Sequence, residues 1–115
     1  MRRYNQIANA RLRVEDSEYF LKEQKLDLFK NIQKAVNEAE AAYEDYQSNL
    51  ESVEWNEEAF KYTKEKYDVG LVDAVEYKIA KSDLSRARSN AANAKYNYLF
   101  RVKILEFYMG QEMEL

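Results

Sequence analysis

Apolar and polar positions along the chain fall into two helical stretches separated by one break. From about Ile7 to Val69 nothing interrupts a helical period. Leu28, Ile32, Ala35, Ala39, Ala42, Tyr46, Asn49, Val53, Asn56, Phe60, Thr63 and Tyr67 step by alternating fours and threes. That spacing marks a seam along which helices pack in a left-handed supercoil. Phe29, Val36, Tyr43 and Leu50 widen the stripe beyond what one partner helix requires, so more than one neighbouring helix is predicted.

After Gly70 the same period returns through Tyr77, Ala80, Leu84, Ala87, Ala91, Ala94 and Tyr98, flanked by Leu99, Val102, Leu105 and Tyr108. A second helix is predicted from about Ala74 to Met109. Its middle seam is nearly all Ala, and small side chains let two helix backbones approach closely. The fold class expected is all-α: one long antiparallel two-helix hairpin, with a helix over about 7–69, a turn over 69–73 and a helix over about 74–109.

The turn is written into its residues. Gly70 suits the left-handed backbone position that ends many helices, because it has no Cβ to clash there. Asp73 reads as the N-cap of the second helix, with Glu76 three residues on to complete a capping box, and Val72 can staple onto Tyr77. Leu71 would meet Lys66 rather than an apolar partner, which makes the end of the first helix the weaker element.

Charge points to the same folding back. Between Asn37 and Phe60 there are eight acidic residues and no basic one; between Lys78 and Lys103 there are seven basic residues and one acidic, Asp83. Reversal at Gly70 lays one block beside the other. Such pairs contribute roughly 0 to 1 kcal/mol each on a surface, so they set register more than stability.

Composition narrows the function classes. The 115 residues include no Pro, no Cys, no His and only two Gly, with 46% apolar and 34% charged. One helical domain fits this, and a disordered chain does not. A net charge of −3 gives no general affinity for nucleic acid or anionic lipid. The absence of Cys and His removes thiolate and imidazole metal sites and the commonest general base. No nucleophile sits beside a base and no Gly-rich phosphate loop is present, so neither an enzyme nor a cofactor or metal protein is expected. The acidic block from Glu38 to Glu58 reads as a solvated helix face, since no oxygen-rich loop gathers its carboxylates. The many Tyr at helical spacing, among them Tyr43, Tyr46 and Tyr67, read as packing with a wet hydroxyl end. No run of about 18 apolar residues could cross a bilayer. The opening Met-Arg-Arg-Tyr-Asn-Gln leads into no signal peptide, so an excised piece is expected, with Met1 a start supplied to it.

The two arms are unequal. A second arm of roughly 54 Å, at 1.5 Å per residue, reaches back along the first only to about Ile32. Tyr19, Phe20, Leu21, Leu26, Leu28 and Phe29 lie before that point. Something beyond the hairpin is expected to cover them, unless the first arm bends back as a third helix.

The run Tyr67-Asp68-Val69-Gly70, the Ala-rich helix after it, and Ala94-Lys95-Tyr96-Asn97-Tyr98-Leu99 resemble the carboxy-terminal repeat of TolC-type outer membrane efflux proteins. There a Tyr-x-x-Gly tip precedes a helix with a similar Tyr-x-Tyr-Leu run, closing with a Gly near the position of Gly110. Ala10-Arg11-Leu12 and Val36 to Tyr46 resemble the helix that descends from the β-barrel. The resemblance covers nearly the whole chain. It implies a fragment of a trimeric α-barrel: three chains, each supplying two hairpins, close a twelve-helix periplasmic tunnel. The parent would then be a homotrimer of a Gram-negative outer membrane, working with a periplasmic adaptor and an inner membrane pump, and touching membrane only through its β-barrel.

The same resemblance implies an adaptor-docking tip at Val69, Gly70, Leu71 and Val72. Acidic residues six and nine positions after the tip Gly constrict the channel mouth in the family. Here those positions hold Glu76 and Ile79. Glu76 is thus a candidate aperture residue, while the capping box accounts for it without a channel. Two other readings stay open: a free-standing coiled-coil scaffold whose first arm recruits a partner helix, and the hairpin of a periplasmic adaptor.

Overall fold

The structure, a computed structural model, describes residues 2–114; Met1, the expected supplied start, lies outside them. Two helices make up the fold, α1 (Arg2–Asp68) and α2 (Ala74–Glu114), with no strand among the described residues. At 1.5 Å per residue the 67 residues of α1 span about 100 Å. The molecule measures 101 × 20 × 14 Å, so it is a ribbon two helices wide and one helix thick.

The helices run antiparallel, with their register fixed by pairs spread along the contact. Arg101 Nη1 donates to Glu38 Oε2 at 2.9 Å, Arg88 Nη2 to Glu57 Oε1 at 3.4 Å, and the rings of Tyr43 and Tyr98 lie 5.3 Å apart. Nearer the turn, Phe60 and Tyr77 approach to 5.5 Å.

The buried residues are the predicted seam. Leu28, Ala35, Ala39 and Ala42 come from α1, and Leu84, Ala87, Ala91 and Ala94 from α2. Small residues face larger ones across the contact. Away from the turn, the α1 alanines meet the register of half-buried Tyr98, Val102, Leu105 and Tyr108; toward it, the α2 alanines meet that of Tyr46, Val53 and Phe60. Small residues set against larger ones let two helices pack closely. Asn49 and Asn56 also sit half-buried on the seam. Each amide donates to its own helix, to the carbonyls of Asp45 and Ser52 at 2.8 Å, so neither needs a partner on α2.

Several expectations are revised. Helix α1 begins at Arg2 rather than about Ile7, since Arg3 and Gln6 are good helix formers and no breaker intervenes. It ends at Asp68 rather than at 69, a difference within the usual uncertainty of helix ends. Helix α2 passes through Gly110 to Glu114 instead of stopping at Met109. A glycine closes a helix when it turns left-handed, and of the two glycines Gly70 alone has a positive φ. The longer α2 carries the contact past Ile32: Leu28 is buried, and Glu112 shares a shallow groove with Lys25, Leu28, Phe29 and Ile32.

Residues 2–27 are exposed throughout, and α1 continues through them without bending back. Of the broadened stripe, Val36 is half-buried, whereas Phe29, Tyr43 and Leu50 remain open. The acidic and basic blocks meet only in part, because Glu38 and Glu57 face α2 while Glu44, Glu51 and Glu58 make no ion pair among the described residues.

Candidate docking tip

The turn is built from two interlocked caps. Gly70 takes φ +80°, its N–H donates to the Tyr67 carbonyl at 3.0 Å, and the Leu71 N–H donates to the Lys66 carbonyl at 2.8 Å. Those two bonds form the Schellman arrangement and satisfy carbonyls that the helix end would otherwise leave open. The apolar contact that often accompanies them is missing, since Leu71 stays 73% exposed and the Lys66 ammonium lies over the Tyr62 ring at 4.3 Å. Leu71 is therefore free to meet something else.

Helix α2 starts from Asp73, whose Oδ1 accepts from the Glu76 N–H at 2.9 Å. The return bond, from the Asp73 N–H to the Glu76 carboxylate, is not made, so Asp73 caps alone and the Glu76 side chain is left exposed. Tyr77 stacks on Tyr67 at 4.8 Å, and Val72, expected to staple onto Tyr77, is half-buried. Aromatic pairs of this geometry contribute about 0.5–1.5 kcal/mol beyond their buried area. Phe60, Tyr67 and Tyr77 thus clamp the two arms immediately behind the turn.

The result is a fixed loop with an apolar outer surface. Val69, Leu71, Val75 and Ile79 are all more than half exposed, and a Cβ added at Gly70 would meet nothing within 4 Å. Sequence reasoning placed Val69 to Val72 here; Val75 and Ile79 enlarge the patch, and their helical spacing from Leu71 was the signal available for finding them. Glu76 lines a shallow groove between the arms with Asn56, Ala59, Thr63, Ile79, Ala80 and Asp83. Among the described residues no cluster of carboxylates could hold a metal, and no helix is long and apolar enough to cross a membrane.

The described residues form a slender two-helix hairpin whose capped tip exposes Val69 and Leu71. The chain belongs to the outer membrane efflux protein family, whose model matches residues 1–111. Comparison with curated proteins and with solved structures finds no match. Membership makes the chain a component of an outer membrane efflux channel, in a family of transport proteins rather than enzymes. The helical portion of such proteins is periplasmic.

Proposed function

We propose that this hairpin is a wall and tip segment of the periplasmic tunnel of an outer membrane efflux or secretion channel, docking through its tip to a periplasmic adaptor. The observation that carries the reading is the turn itself: Val69 and Leu71 are held outward at the end of a 101 Å ribbon by paired caps. Burying exposed apolar side chains on a preordered loop favours association at little entropic cost. Family membership favours the channel over an adaptor hairpin or a free-standing scaffold.

The parent would be a homotrimer of a Gram-negative outer membrane, coupled through the adaptor to an inner membrane pump. Its own part would be passive. The Ala-rich contact interdigitates shallowly, so the arms can slide between packings of similar energy, and the aromatic clamp near the tip is where such a shift would be read out. Glu76, free of its capping role, would then project a carboxylate near the channel mouth.

Substituting Gly70→Arg and Leu71→Glu in the parent channel tests docking. Adaptor binding should fall sharply while the channel still assembles. Binding unchanged in both variants would remove the tip from the interface.

A further inference from the structure

Two phenols from opposite arms are held ring to ring at the turn. Tyr67 and Tyr77 stack with centroids 4.8 Å apart and planes 23° from parallel. The turn anchors both backbones: the Tyr67 carbonyl accepts from the Gly70 N–H at 3.0 Å, and the Tyr77 N–H donates to the Asp73 carbonyl at 3.3 Å. Phe60 also packs on Tyr77, at 5.5 Å, but carries no hydroxyl. Tyr67 is still 39% exposed, so a small solute in water can reach the pair.

The composition leaves aromatic side chains to take up oxidation. No Cys is present to react first, and Met109 and Met113 lie near the far end of α2. A phenol that loses an electron and a proton becomes a tyrosyl radical, with unpaired spin on its oxygen and on the ring carbons beside it. Two such radicals couple when their rings meet. Here the rings already touch, which turns a bimolecular encounter into an intramolecular step. The other tyrosine pairs that span the arms are less well placed: Tyr43 and Tyr98 lie 5.3 Å apart but are inclined by 59°, and Tyr46 and Tyr98 are 6.5 Å apart.

We propose that Tyr67 and Tyr77 form a site of oxidative cross-linking, joined as a dityrosine by a one-electron oxidant such as a peroxide-activated metal complex. Each phenol gives one electron to the oxidant and one proton to water. A carbon–carbon bond then forms between the ring positions beside the two hydroxyls, and the hydrogens on those carbons pass through water to the phenol oxygens. The product keeps both hydroxyls and is lighter by two hydrogen atoms, while the two electrons reduce one peroxide to water. The bond staples the arms immediately behind the tip, so oxidation would stop the arms from sliding there. That consequence rests on the sliding reading above; formation of the bond does not, and its failure would leave adaptor docking through Leu71 untouched.

Trypsin cuts after Lys66 and Lys78, so both tyrosines fall in one peptide, residues 67–78. The test is to oxidise the dilute 115-residue chain with ruthenium tris-bipyridine, persulfate and light, and to map the digest by mass spectrometry. The 67–78 peptide should appear lighter by two hydrogen atoms, with dityrosine fluorescence, and should release no backbone fragments from inside the closed loop. Tyr77→Phe keeps a ring to stack on Tyr67, with its helix content checked by circular dichroism, and should abolish the lighter peptide. Tyr43→Phe should leave it unchanged. In urea, where the stacked geometry is lost, its yield should fall at least roughly fivefold. A 67–78 peptide that only gains oxygen, cross-links found only between chains, or a yield unchanged in urea would each overturn the proposal.

Discussion

Arg101 reaches Glu38 across the hairpin at 2.9 Å, joining residues 63 apart in sequence with both side chains a little over one-third exposed. It is the most distant cross-arm ion pair from the turn and the one that sets the register of the open end. Its partial burial makes it stronger than a rim contact, yet water still screens it.

Glu38→Ala and Arg101→Ala should therefore each cost about 1 kcal/mol or less, with a coupling no larger in a double-mutant cycle. Exchanging the two, Glu38→Arg with Arg101→Glu, should recover most of the loss. Urea unfolding followed by circular dichroism, at low and high salt, checks this, and the coupling should shrink as salt rises.

The alanine contact sets the spacing of the arms. Ala39→Leu or Ala91→Leu should destabilise by about 1–3 kcal/mol by forcing the helices apart. Ala8→Leu, on the exposed first stretch of α1, should leave the melting temperature unchanged within error.

At the turn, Asp73→Ala should cost about 1 kcal/mol through loss of the cap to Glu76 N–H. Glu76→Gln should change stability by less than about 0.5 kcal/mol, because its carboxylate makes no capping bond. A reciprocal capping box would instead make both substitutions costly. Gly70→Ala has space for its methyl and should cost only the roughly 1 kcal/mol of a left-handed non-glycine residue.

Stability should be uneven along α1. Amides of residues 2–27, which have no packing partner, should exchange much faster than those from Ala35 to Phe60, where α2 covers the seam. Hydrogen exchange read by mass spectrometry at peptide resolution measures the contrast. Equal protection along the helix would mean that residues 2–27 have found a partner.

Much of this was legible in the residues because a heptad period fixes which side chains face a neighbour. Every seam position from Leu28 to Thr63 is buried or half-buried, and Gly70 and Asp73 mark the reversal by backbone requirements of their own. The helix ends were less legible. Gly110 offers the same letter as Gly70 without the left-handed conformation, and nothing local distinguishes the two. Glu76 showed the limit at the site: spacing permitted a capping box, but a solvated carboxylate gains little by folding back.

The reversal of the chain at Gly70 underlies every other statement, and a distance between spin labels tests it most directly. With labels at Lys34 and Glu106, exposed residues on opposite arms, the hairpin predicts a narrow distribution near or below the 20 Å width of the ribbon. A continuous helix through Gly70 would separate the same labels by about 100 Å, and a distribution at that length would contradict the fold and the docking tip with it.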